Sequence, residues 1–200
     1  MPLTGEPATP TTVTPDGRHV LADQLVNSQI GIVRLPLAAG GSGERSRPES
    51  LINTPFEEIG AEISPDGRYL AYQSNESGYF QVYVRPFPNV GDGHWQVSME
   101  GGSSPMWARN GTELFYLDGS TAMTAVPVQT AGDTFTVGNP KALFDARMYT
   151  ADGTRTYDVS PDGSRFILIK GSDTGAPRLT PAGIMVVLNW FEDLKGRLQQ

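Results

Sequence analysis

The sequence predicts an all-β fold of the propeller type, and three observations carry the prediction. Pro-Asp-Gly stands at residues 15–17, 65–67 and 161–163, and Arg109-Asn110-Gly111 fills the interval between the second and third copies. The four glycines are spaced by 50, 44 and 52 residues, and β-rich repeats of about that length are propeller blades. The third to fifth residues after each glycine are apolar: Val20-Leu21-Ala22, Leu70-Ala71-Tyr72, Leu114-Phe115-Tyr116 and Phe166-Ile167-Leu168. A continuous apolar run marks a strand buried on both faces, as in the inner strands of a propeller blade; most strands of a two-sheet sandwich bury one face and alternate. Finally, 23 Gly and 16 Pro supply turns throughout, and helical periodicity is almost absent.

Each turn has a local cause. Proline presets φ at the first turn position, the Asp or Asn side chain bonds its own backbone two residues on, and glycine accepts positive φ. Asp16, Gly17, Asp66, Gly67, Asn110, Gly111, Asp162 and Gly163 are therefore read as structural turn residues joining the first two strands of each unit. A calcium ring from the three aspartates is disfavoured, because one carboxylate per unit does not give clustered oxygen ligands.

The units are expected at about residues 11–55, 56–103, 104–147 and 148–198, after a linker or disordered stretch over 1–10. In the first, strands are predicted at Thr11–Thr14, Arg18–Gln24, Gln29–Leu35 and Ser50–Asn53. The second has Ile59–Ile63, Tyr69–Ser74, Tyr79–Arg85 and His94–Met99, the third strand ending at Pro86-Phe87-Pro88, since proline cannot donate to a ladder. The third has Pro105–Ala108, Glu113–Leu117, Ala122–Val128 and Ala142–Phe144. The fourth has Thr156–Ser160, Arg165–Lys170 and Ile184–Asn189 but no fourth strand. A short terminal helix is expected over Trp190–Leu198, and surface loops over Ala38–Pro48 and Gly171–Pro181.

Several functions are excluded by composition. The formal net charge is −7 with no basic stripe, which disfavours a reader of nucleic-acid backbones. No run approaches the ~18 apolar residues of a membrane-spanning helix. With no cysteine, thiol catalysis and cysteine-ligated metals are excluded. The chain contains no Gly-x-Ser-x-Gly, no P-loop and no kinase motif, so no catalytic, cofactor-binding or metal-ligating residue is assigned. His19 and His94 are read as surface or packing residues, since neither has a nucleophile nearby in the repeat.

Aligned on the turn glycine, Ile63, Trp107 and Val159 share one innermost-strand position and Glu62, Met106 and Asp158 share the preceding one. The first set is expected to pack between blades. The second is the candidate channel lining, where two carboxylates could meet a cation or a basic group, or form a hydrated wall.

Ile63–Gly78 followed by Val82-Tyr83-Val84-Arg85-Pro86-Phe87-Pro88 resembles the TolB-type, WD-repeat-like propeller repeat. With Trp95-Gln96-Val97-Ser98, Gly111–Leu117 and the ending Val186–Phe191, it is similar to the propeller region C-terminal to a serine/threonine kinase and a membrane span in bacterial receptor-like kinases. The resemblance covers nearly the whole chain from Thr11. It implies a non-catalytic ligand- or protein-binding module, extracytoplasmic, within a ring of six to eight blades. The chain is accordingly expected to be the C-terminal part of a longer protein, with upstream blades as partners and any kinase activity outside this sequence. Two alternatives stay open: the propeller of a prolyl-oligopeptidase-type peptidase without its hydrolase domain, or an enzyme acting within the propeller.

Overall fold

The computed structural model describes residues 7–37, 47–131, 134–146, 155–170 and 183–187. These form antiparallel sheets that follow one another along the chain, with no helix among the described residues. Sheet 1 holds β1 (Ala8–Val13), β2 (His19–Val26), β3 (Gln29–Pro36) and β4 (Glu49–Ile52). Sheet 2 holds β5 (Glu58–Ile63), β6 (Tyr69–Ser74), β7 (Gln81–Pro86) and β8 (Trp95–Gln96). Sheet 3 holds β9 (Gly102–Trp107), β10 (Glu113–Asp118), β11 (Ala122–Ala131), β12 (Thr134–Val137) and β13 (Lys141–Asp145). Sheet 4 holds β14 (Tyr157–Val159), β15 (Phe166–Lys170) and β16 (Gly183–Val187).

The repeated turn joins the first two strands of every sheet. In three copies a Ser or Thr just before the proline completes it. The Ser64 hydroxyl donates to Asp66 Oδ1 (2.6 Å) and accepts from the Tyr69 N–H (2.9 Å), while Asp66 also accepts from the Arg68 N–H (3.1 Å). Thr14 with Asp16 and Ser160 with Asp162 repeat the arrangement. In the third copy Ala108 has no hydroxyl, and Asn110 Oδ1 accepts from Thr112 N–H and hydroxyl instead. All four glycines have φ between 68° and 74°, as the turn requires. Hydrogen bonds from Ser160 and Ser164 hold the Asp162 carboxyl down at about 2, so these carboxylates are ionised turn caps.

Alternate residues of one strand enter different cores, which is the mark of a strand sandwiched between blades. On β6, Leu70 and Tyr72 pack with Leu21, Ile32 and Ile52 of sheet 1, whereas Tyr69 and Ala71 pack with Trp107, Leu114 and Tyr116 of sheet 3. On β10 the same division recurs, with Phe115 and Leu117 meeting Tyr157, Val159, Phe166 and Leu168 of sheet 4. On β15, Phe166 and Leu168 are buried but Ile167 is 45% exposed, so this triplet alternates and is covered on one face. The innermost strands also meet, β1 with β5 and β5 with β9. The architecture is an all-β propeller in which the described residues make four blades, and the open sheets fit an incomplete ring.

Some expected boundaries shift. β1 starts at Ala8, inside the expected linker; β8 shrinks to Trp95–Gln96; and β9 begins at Gly102 rather than Pro105. Sheet 3 contains a strand the four-strand template left out. β11 runs on past the blade to pair with β12, and separately pairs β13. On β12, the Phe135 side chain reaches into the core between sheets 2 and 3, with ring centroids 5.1 Å from Tyr69, 5.3 Å from Trp95 and 6.2 Å from Trp107. The helix expected at Trp190–Leu198 lies outside the described residues, as does most of each expected long loop.

Candidate functional site

The innermost strands of three blades share one irregularity. Register shifts between Pro10 and Thr12 in β1 and between Ile59 and Glu62 in β5, and β9 slips likewise against Phe115–Leu117 of β10. Pro10, Gly60 and Ser104 each stand seven residues before their turn glycine, and Gly60 (φ 71°) and Ser104 (φ 54°) adopt left-handed backbone. An L-residue such as Ser104 rarely takes this conformation, so the bulge is held by its surroundings. It also turns an N–H out of its own ladder. The Gly60 N–H donates to both carboxylate oxygens of Asp23 (3.1 Å each), and the Ser104 N–H donates to Gln73 Oε1 (2.6 Å). Asp23 and Gln73 each stand six residues after their turn glycine. One blade's second strand thus receives the bulge N–H of the next blade.

These bulges frame a cavity of about 240 Å³ lined by residues of all four sheets, among them Thr9, Asp23, Gly60, Ser104, Arg155 and Asp158. Arg155 crosses beneath blade 3. Its guanidinium donates to Glu62 Oε2 of blade 2 (2.9 Å) and lies 3.4 Å from the Pro105 carbonyl. The buried Tyr157 hydroxyl donates to the Ser104 carbonyl (2.8 Å), tying blade 4 to the bulge of blade 3, and the Trp107 indole donates to the Glu62 carbonyl (3.0 Å). Burial pushes the Asp23 carboxyl up to about 6, against the opposing Gly60 N–H. Burial likewise raises Glu62, partly offset by Arg155.

Of the predicted channel positions, Glu62, Met106 and Asp158 do occupy equivalent places, pairing with Ala71, Phe115 and Ile167 at the fourth residue after each turn glycine. Asp158 lines the cavity and Glu62 holds its arginine. Met106 sits in the apolar cluster between sheets 3 and 4. Ile63, Trp107 and Val159 are buried. His94 lies at the rim of blade 2, stacked on Tyr83 (4.9 Å) with Glu76 3.1 Å from Nε2. Among the described residues no three His, Cys, Asp or Glu side chains gather as a metal site, and no helix is long and apolar enough to cross a membrane.

Sequence reasoning missed Asp23 and Arg155. Asp23 was hidden inside the run Val20–Val26, although a carboxylate amid apolar strand residues is itself a signal. Its raised pKa gives a prediction. A carboxyl raised from an ordinary 3.8 to about 6 binds protons more tightly when folded, so it weakens the fold above its folded pKa, and that cost disappears below about pH 4. Asp23→Asn is expected to stabilise the protein by about 1 kcal/mol at about pH 7, with the gain gone at about pH 4. Thermal melts across that range check it; a gain that does not change with pH would place Asp23 in open water.

No known family profile matches the chain, and no curated relative does. Solved structures match its fold. A protein assigned as TolB from Agrobacterium tumefaciens superposes with TM-score 0.61 at 18% identity, over 89% of this chain and 60% of that one. TolB from Acinetobacter baumannii gives 0.58 at 17%, over 86% and 39%. A protein assigned as a 6-phosphogluconolactonase from Bacteroides fragilis NCTC 9343 gives 0.58 at 15%, over 93% and 56%. The chain therefore spans less than two thirds of the length of these structures, and at such identities the likeness concerns the fold alone. By that measure the chain has a TolB-type β-propeller fold.

Proposed function

We propose that this chain is a non-catalytic binding or sensing module whose inner-strand cavity receives a cationic group of a ligand or partner protein. The observation that carries this reading is the cavity itself. Asp23 of β2 and Asp158 of β14 line it together with Arg155, whose guanidinium is held by Glu62 of β5. Asp23 is fixed by the Gly60 bulge, and the groups are not arranged as a nucleophile with its base. A preformed polar concavity at the centre of a propeller suits recognition. The likeness to the propeller of bacterial receptor-like kinases supports a parent of that kind, or a TolB-like one, with six to eight blades, an extracytoplasmic module and catalysis elsewhere in the parent.

Nuclear magnetic resonance titration of the purified chain with ethylammonium, with acetate as the comparison, tests this. Shifts at Gly60, Ser104 and Asp158 with ethylammonium alone, abolished by Asp23→Asn with Asp158→Asn, are expected. Reproducible turnover of ATP, peptide anilides or nitrophenyl glycosides, lost on mutating His19 or His94, would contradict the reading.

A further inference from the structure

The ends of the strands opposite the Asx turns carry a second, differently built surface. Two of the most exposed large apolar side chains of the described residues meet there: Met99 (69% exposed) in the β8–β9 loop and Tyr79 (53%) before β7. Isolated exposed apolar residues need no explanation, but Met99 sits on a loop that is rigidly held, and Tyr79 is bonded to that loop. The Met99 carbonyl accepts from the Tyr79 hydroxyl (3.1 Å) and from Gln81 Nε2 (3.0 Å). The buried Gln81 Oε1 accepts in turn from the Ser98 hydroxyl (2.5 Å) and the Gly101 N–H (3.1 Å). Gly101, at φ 92°, approaches the β10–β11 turn so closely that a Cβ on it would lie 2.8 Å from Gly119 Cα. A loop fixed at both ends by buried bonds, yet presenting methionine to water, loses little freedom when a partner docks.

Beside Met99 lies an open cavity of about 380 Å³, walled by Tyr116, Thr124, Pro140 and Ala142 and rimmed by Glu100 and Asp118. Asp118 is held below the usual carboxylate range, its hydrogen bonds from Ser120, Ala122 and Thr124 together outweighing partial burial, so it is ionised. Among the described residues no Lys or Arg lines the cavity. The wall mixes the apolar Met99, Tyr116, Pro140 and Ala142 with the hydroxyls of Ser120 and Thr124, and Glu100 and Asp118 make its charge anionic.

We infer that this end of blades 2 and 3 is a docking surface for a basic peptide segment of a partner protein. One apolar side chain would enter the cavity against Met99 and Tyr116, and a neighbouring Lys or Arg would face Glu100 and Asp118. The chain's net charge of −7 argues against a second copy as the occupant, because like charges would face each other. The inference rests on the reading of the chain as a binding module but concerns a different surface from the inner cavity.

Fluorescence anisotropy with the labelled peptide Gly-Ser-Lys-Leu-Lys-Leu-Lys-Ser-Gly tests it. The comparison peptides are the same sequence with Glu for Lys, and with Ser for Leu. The basic, apolar peptide should bind at least about tenfold more tightly than either. Met99→Ser and Tyr79→Ser should each weaken it about fivefold, while Val13→Ser, at an exposed apolar residue elsewhere, and Asp23→Asn leave it unchanged. Melting curves establish that each variant is folded. Three outcomes overturn the inference: equal binding of the peptides or none, insensitivity to Met99→Ser, or a concentration-dependent dimer that Met99→Ser dissolves. Loss of binding in Asp23→Asn would move the peptide to the inner cavity and overturn the inference while sparing the binding reading. Failure of the ethylammonium titration alone would do the reverse.

Discussion

Phe135→Ala is expected to cost about 3–4 kcal/mol, the range of buried aromatic truncations, although Phe135 stands on a hairpin at the edge of its sheet. Its ring is buried among Tyr69, Trp95 and Trp107, so it closes the core between blades 2 and 3 from the side. Truncation leaves a void that three large rings cannot refill without leaving their rotamers. Against a typical total of about 5–15 kcal/mol, the loss is large. Thr136→Ala, on the exposed face of the same strand, should change stability by less than about 0.5 kcal/mol. Urea unfolding followed by tryptophan emission reads both, since Trp95 and Trp107 flank the ring. A Phe135→Ala cost below about 1 kcal/mol would mean that the hairpin does not cover this core.

Arg155→Met should destabilise by about 2 kcal/mol at about pH 7, less than the ~3–5 kcal/mol of a fully buried pair because both side chains keep some solvent. The loss comes from Glu62, left ionised in a buried place whose desolvation already raises its pKa even with the arginine present. Removing the cation raises it further. Glu62 is then protonated in both folded and unfolded states below about pH 4, and the deficit relative to the parent protein should shrink towards that pH. A deficit unchanged by acid would point to lost packing of the arginine stem instead.

Local turn chemistry made the fold legible. Pro-Asp-Gly with its apolar triplet specifies a turn and a strand within nine residues, and three copies with the degenerate Arg109-Asn110-Gly111 at blade spacing specify the array. The added Ser64 and Thr14 hydroxyls were in plain view beside each proline, and Ala108 marks the copy that lacks one. Phe135 was less accessible. Thr134-Phe135-Thr136-Val137 alternates as a strand should, but no Asx turn announces it and the four-strand template has no place for it. The alternation of β15 was also hidden, because Phe166-Ile167-Leu168 reads the same whether its second face is covered or not. The candidate site was legible in part. Alignment on the turn glycine placed Glu62 and Asp158 at equivalent inner positions, yet side-chain identity at that position does not say which neighbour covers it, and Met106 falls in a core. Arg155 depends on contact across 93 residues; no local pattern encodes that, and only the radial arrangement of the blades creates it.

That contact offers the most direct measurement. Arg155 stands at the start of blade 4 and Glu62 on the inner strand of blade 2, so their ion pair exists only if the innermost strands converge past blade 3 on one central cavity. A double-mutant cycle of Glu62→Gln and Arg155→Met, read by equilibrium unfolding at about pH 7, isolates their coupling. Convergence predicts about 1–2 kcal/mol of favourable coupling, falling as Glu62 is protonated in acid. Additive single losses, with coupling below about 0.3 kcal/mol, would contradict the central cavity and the binding role built on it.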